Sequence, residues 1–190
     1  MMEKKITYFE QIKEDHTEET FKLVEERLTD SDIKKVVLAS TTGAAAEKAM
    51  QFFKGKEIKL VVIPHQYDFS RVDNPFPSEM VQRLREAGHE VHFGTMLFHT
   101  DRLFGSNIPT TIANFLRCFC EGVKVCYEIV LMAADAGLLE IGEEVIAIAG
   151  TGRGSDTAMV MQASSTQHLN KLKINEILCK PLNQLNTANQ

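Results

Sequence analysis

The chain has 190 residues, 44% hydrophobic and 25% charged, enough for one buried core and too few for two ordinary domains. Its net charge of −5, from 21 basic and 26 acidic side chains, argues against a nucleic-acid partner, which would need a basic face. The charged start Met1 to Lys5 lacks a secretory pattern and no apolar run is long enough to span a bilayer, so a cytoplasmic protein with no membrane partner is expected.

Ile6 to Phe9 is a short β-rich run. Thr17 is placed to cap a helix through about Leu28, with Glu18 and Glu19 in its first turn and Phe21, Val24 and Leu28 at helical spacing. Val36 to Ala39 is a continuous apolar run, the mark of a strand buried on both faces. The Ser40-Thr41-Thr42-Gly43 turn leads into an alanine-rich helix ending near Phe53, and Ile58 to Ile63 is a second buried strand. A loop from Pro64 to Pro77, a helix from Ser78 to Ala87 stopped by Gly88, and a strand from Glu90 to Phe93 follow.

Gly94 to Asn107 is a mixed excursion. Pro109 opens what reads as one long helix to Gly137, with Ile112, Phe115, Leu116, Phe119, Val123, Cys126 and Val130 as its apolar stripe. Glu144 to Ala149 is a third buried strand, Thr157 to Gln162 a further strand and Glu176 to Cys179 the last. Strands alternating with helices predict an α/β fold: a three-layer sandwich with a mainly parallel sheet over residues 1–182, then a polar tail, 183–190. The link from Ala149 to Thr157 is too short for a crossover helix, so those two strands are expected to pair antiparallel near the C-terminus. The four cysteines form no Cys-x-x-Cys pair and no metal site is expected.

Two loops carry anion-binding chemistry. Ser40, Thr41, Thr42 and Gly43 sit at a strand-to-helix junction, where free N–H groups and the helix dipole favour a phosphate, although serine and threonine there also suit plain helix capping. Gly150 to Thr157 has alternating glycines joining two strands, so it is no dinucleotide fingerprint. Its successive N–H groups can still form an anion cradle, with Arg153 as a bidentate charge; a flexible hairpin is the plainer alternative. Candidate ligand contacts are therefore Ser40, Thr41, Thr42, Gly43, Thr151, Gly152, Arg153, Gly154, Ser155 and Thr157. His65, Gly94 and Thr95 join them because they follow strands at the carboxyl edge of the sheet. Glu128 and Asp135 lie on one side of the long helix among apolar neighbours; they read either as an acid/base pair or, more plainly, as carboxylates bonded to backbone N–H groups of nearby loops. Arg117, Glu121, Lys124 and Glu128 read as surface pairs. No catalytic residue is singled out.

Val37-Leu38-Ala39-Ser40-Thr41-Thr42-Gly43 resembles the strand and effector-phosphate loop of the pyruvate kinase carboxy-terminal domain. Glu144 to Gly150 with Thr151 to Thr157 resembles that domain's last hairpin. Residues Glu3 to Glu10, Gly122 to Ile129 and Met132 to Leu138 extend the likeness over nearly the whole chain, to a family of free-standing bacterial and archaeal proteins described as pyruvate kinase alpha/beta domain-like. The resemblance implies a fold and a pocket for a phosphorylated small-molecule ligand, with FMN as the first cofactor to consider. It does not imply pyruvate kinase activity, because that enzyme's catalytic groups sit in a barrel of roughly 250 residues. A flavin-dependent or small phosphoester enzyme, a non-catalytic sugar-phosphate or effector sensor, and a structural partner of another protein are the competing expectations, and a homo-oligomer is compatible with each.

Overall fold

The computed structural model describes residues 1–10, 14–69 and 73–182; the polar tail 183–190 and part of the Pro64 to Pro77 loop fall outside them. In chain order the elements are β1 (Thr7–Phe9), α1 (Thr17–Thr29), β2 (Lys35–Ala39), α2 (Ala44–Phe52), β3 (Lys59–Ile63), α3 (Ser78–Glu86) and β4 (Glu90–Val91). After a 3₁₀ turn, Leu97–His99, come α4 (Asp101–Phe104), α5 (Ile108–Arg117), α6 (Glu121–Asp135), β5 (Glu144–Ala149), β6 (Thr157–Gln162) and β7 (Lys173–Pro181).

The strands form one sheet in the order β1-β7-β6-β5-β2-β3-β4. β5 and β7 both pair antiparallel to β6, and every other pairing is parallel. Alternating residues divide the core in two, as the period of two in a strand requires. Val36, Leu38, Leu60, Val62, Ile146 and Ile148 pack with Phe21 and Val24 of α1, Ala46 and Ala49 of α2, and Met80 and Leu84 of α3. Val37, Val61, Ile63, Val145, Ala147 and Met159 face the opposite way, onto Val123, Cys126, Ile129 and Val130 of α6. The central strands are apolar at every core position because helices cover both faces. The result is the three-layer α/β sandwich with a mainly parallel sheet.

Several expectations are corrected. The single helix from Pro109 to Gly137 is two helices. Cys120 adopts φ 176°, and its sulfur accepts the Val123 N–H at 3.4 Å, so a new helix is capped there. The turn brings Gly122 against β6, where an added Cβ would lie 2.0 Å from the Thr157 hydroxyl. The apolar stripe splits accordingly: Val123, Cys126 and Val130 enter the core, whereas Ile112, Phe115 and Phe119 remain exposed. Thr17 is the first helical residue of α1, with His16 at the cap position. β4 stops at Val91, and β7 begins at Lys173 because its pairing with β6 starts at Gln162↔Lys173.

Candidate functional site

From β2 the chain moves outward to β3 and β4 on one side, then returns through α6 to place β5 on the other side of β2. α2 covers one face of the sheet and α6 the other. The chain therefore leaves the carboxyl ends of the paired strands β2 and β5 in opposite directions along the sheet, the arrangement at which open α/β sheets hold ligands. A cleft of about 670 Å³ opens there, within the range typical of small-molecule sites. Its floor is Ala39, Ser40, Ile63, Pro64 and Gly150, and its apolar wall is Val125, Ile129, Met132 and Met96.

The Ser40 to Gly43 turn builds one end of the cleft. Gly43 has φ 87°, the left-handed region that glycine enters freely, and this starts α2. Its missing side chain faces Pro77 and Met80, so it serves packing against α3 and does not make room for a ligand. The buried Ser40 hydroxyl accepts the Ala46 N–H at 3.3 Å. Among the described residues, the Ala44 and Ala45 N–H groups find no protein acceptor, and both residues line the cleft with Thr41 and Thr42. The helix end thus offers partial positive charge and open donors at that point.

The Gly150 to Thr157 loop closes the same end and is firmly built. The Ser155 N–H donates to the Thr17 hydroxyl at 2.9 Å, and the Thr20 hydroxyl donates to the Ser155 carbonyl at 3.1 Å. The Asp156 carboxylate accepts from the Thr151 N–H and the Thr157 hydroxyl, at 2.9 and 2.7 Å. Gly152, Arg153 and Gly154 reach the cleft. Arg153 is exposed and has no ion pair or hydrogen bond among the described residues. Ser155 and Thr157 are buried, 1% and 0% exposed; they anchor the loop and the start of α6, and they lie outside the cleft lining. Thr151 and Gly43 also lie outside the lining.

His65 lines the cleft on the β3 side, its Nε2 3.4 Å from the Thr41 hydroxyl. Burial lowers its pKa, the Lys124 ammonium adds to that, and the Glu128 carboxylate opposes it. Gly94 and Thr95 lie outside the lining, and the neighbouring Met96 takes their place. The Met96 N–H is fixed by the Gln66 side chain at 2.7 Å.

Asp15, Thr17, Lys48 and Glu128 also line the cleft, and none of them is among the contacts expected from the sequence. Asp15, just before α1, pairs with Lys48 of α2 at 2.6 Å and accepts the Thr17 N–H. Hydrogen bonds from Lys48 and Thr17 lower its carboxyl to about 2. Lys48 reaches the cleft because helical side chains tilt toward the helix N-terminus. Glu128, which its spacing assigns to a surface pair, is instead 2% exposed, like its partner Lys124 at 2.7 Å. Its other oxygen accepts the Phe98 N–H at 2.8 Å, and Lys124 also meets His99 Nε2 at 3.2 Å. Glu128 thus has the expected backbone partner and a buried cation besides. Asp135 accepts from the Thr166 N–H and hydroxyl, both at 2.9 Å, and lies outside the cleft lining. Arg117 and Glu121 do form a half-exposed pair.

Burial raises the thiols of Cys120 and Cys126, and that of Cys179 to about 12, so none of the three is a ready nucleophile. Among the described residues no three His, Cys, Asp or Glu side chains converge as a metal site, and no helix is long and apolar enough to cross a membrane. A second cleft, of about 710 Å³, lies at the amino edge of the strands near Lys34, Lys59 and His89. Its cations are largely satisfied: Lys34, Lys35, Lys56, Lys59 and Arg83 each pair with a glutamate.

No protein-family model matches the chain. Among solved structures it is similar to a pyruvate kinase from Cryptosporidium parvum, at 15% identity over 73% of this chain, with a TM-score of 0.39. It is also similar to Cryptosporidium parvum pyruvate kinase in complex with ADP, at 16% identity over 73% of this chain and a TM-score of 0.38. The aligned part is 21% and 22% of those chains, about a fifth of their length.

Proposed function

We propose that the cleft binds a phosphorylated small molecule, with FMN or a related nucleotide first and a sugar phosphate second, and that the chain has no pyruvate kinase turnover of its own. One observation carries this reading. The α2 amides at Ala44 and Ala45 and the Arg153 guanidinium, all without a partner among the described residues, converge with the Thr41 and Thr42 hydroxyls at one end of a cleft whose opposite wall is apolar. Donors without acceptors, next to a helix N-terminus and a guanidinium, suit a dianion. Val125, Ile129, Met132 and Met96 suit a flat or apolar body attached to it. Glu128 and the half-buried His65 supply polar contacts between those two regions. Lys48 is a further phosphate contact in this reading, exchanging its Asp15 partner for the ligand.

The test compares FMN with riboflavin, which shares the ring system and lacks the phosphate. FMN at about 100 times its dissociation constant is expected to add roughly 2.7 kcal/mol of stability, read as a rise in melting temperature, with a much smaller rise for riboflavin. Equal rises would remove phosphate as the anchor. No rise with FMN, ADP or a sugar phosphate would overturn the reading. Purified protein given phosphoenolpyruvate and ADP is expected to show no turnover near the ordinary enzymatic scale of ~1 s⁻¹ or above.

A further inference from the structure

The segment between β4 and α6 has little core of its own. Phe98, Ala113 and Leu116 are the buried members of its cluster, joined by the partly buried Tyr127. Its other face is apolar and open. Leu103, Phe104, Ile108, Ile112, Phe115 and Phe119 are 40–71% exposed. On α5, at 3.6 residues per turn, Ile108, Ile112 and Phe115 fall within about 60° of arc. Phe119 extends the row through the turn in which its N–H donates to the Leu116 carbonyl at 3.1 Å. α4, with Leu103 and Phe104, is tied to the start of α5 by the Thr110 N–H donating to Asp101 at 3.2 Å.

If a large apolar residue presents about 200 Å² when fully open, these six expose on the order of 700 Å². Soluble monomers seldom show a contiguous apolar patch above roughly 600 Å², and a stable interface takes about 800 Å² from each partner. The patch is therefore close to the size that one partner of a stable dimer contributes.

The order of side chains along α5 indicates which partner. The row runs Ile108, Ile112, Phe115, Phe119, with aliphatic residues in the first half and aromatic residues in the second. It carries no charge, so it needs no complementary charge opposite. Laid antiparallel on its own copy about a two-fold axis between Ile112 and Phe115, each isoleucine faces a phenylalanine. Ile112 meets the copy's position 115, and Ile108 meets its position 119. Each broad ring is then set against a branched chain, and an isologous interface uses every member of the row, with Leu103 and Phe104 outside these pairs.

We propose that this face is the two-fold interface of a homodimer, with α5 packed antiparallel on α5 of a second copy of the chain. The contact stiffens the same segment that carries Met96 to the cleft wall and His99 to Lys124. The dimer forms whatever the cleft binds.

Sedimentation of the whole chain tests it. At about 100 µM, a hundredfold above a micromolar dissociation constant, the wild type is expected to be a dimer; a monomer at that concentration overturns the proposal. Ile112→Lys and Phe115→Glu alter exposed side chains, so each is expected to fold, checked by circular dichroism, and to sediment as a monomer. The two variants mixed are expected to recover the dimer. In the mixed pair the introduced lysine faces the introduced glutamate at one contact, and the unaltered Ile112 of one copy faces the unaltered Phe115 of the other at the second. Single variants that remain dimeric place the interface elsewhere and overturn the proposal. A mixture that stays monomeric overturns the antiparallel pairing.

Discussion

Two glycines in one loop, separated by Arg153, are expected to respond very differently to alanine. At Gly154 φ is 72°, a conformation that costs an ordinary residue about 1–2 kcal/mol. An alanine Cβ there would also lie 2.2 Å from an Asp15 oxygen and 2.5 Å from the Thr17 hydroxyl. Both atoms are held: Asp15 by Lys48 and Thr17, and Thr17 by the Ser155 N–H. Relieving the clash requires losing one or two of those hydrogen bonds, at about 1 kcal/mol each. Gly154→Ala is therefore expected to cost about 2–4 kcal/mol. For a domain of this size, at about 2–4 °C per kcal/mol, the melting temperature falls by roughly 4–16 °C. At Gly152 an added Cβ meets nothing within 4 Å and φ is not in the left-handed region. Gly152→Ala is expected to stay within about 0.5 kcal/mol of the wild type, or to gain slightly through reduced freedom of the unfolded chain. The assay is thermal and urea unfolding of the three proteins, with FMN titrated calorimetrically into each. A Gly154→Ala protein that melts within about 1 °C of the wild type, well below the shift that scaling gives, would refute the account of a loop held on the start of α1.

Arg153→Ala is expected to leave the melting temperature of the free protein unchanged and to weaken FMN about tenfold to hundredfold, the worth of a charge-assisted hydrogen bond. Arg153→Lys should recover only part of that, and equal calorimetric affinities for all three proteins would take Arg153 out of the site. Lys124→Met leaves the buried Glu128 without its cation and is expected to cost about 3–5 kcal/mol in urea unfolding. Adding Glu128→Gln should restore most of the loss. His65 and His99 both have pKa values lowered by burial, so the unfolded chain binds more protons near the ordinary imidazole value of about 6.5. Stability is therefore expected to fall as pH drops from about 7.5 to about 5.5, and a His65→Asn, His99→Asn protein should lose less over that interval. Asp15 does not interfere, because its carboxyl sits near 2 and its contribution is lost only below about pH 4.

The layers of this fold were legible in the chain because each central strand is apolar at successive positions. Val36-Val37-Leu38 and Ile146-Ala147-Ile148 admit no polar face and must be covered on both sides. The antiparallel return at β6 followed from the short link after Ala149. The two glycine- and threonine-bearing turns could be assigned to the carboxyl edge of the sheet because each follows such a strand. Local pattern did not reach further. The break at Cys120 goes with the approach of Gly122 to Thr157, far along the chain; Gly122 was the local sign of it, inside an apolar stripe that otherwise ran on unbroken. The same long-range contact put Thr157 in the interior. Asp15 and Lys48 meet across thirty-three residues because α1 and α2 pack side by side on one face. Lys124 and Glu128 have the spacing of a surface pair on any helix. Burial by Phe98 and His99, brought over by the excursion before α5, turns them into an internal pair. Periodicity reports which face of an element is apolar, whereas the partner of a polar side chain depends on which segments meet in space, and here that was decided by the crossing of the sheet at β2 and β5.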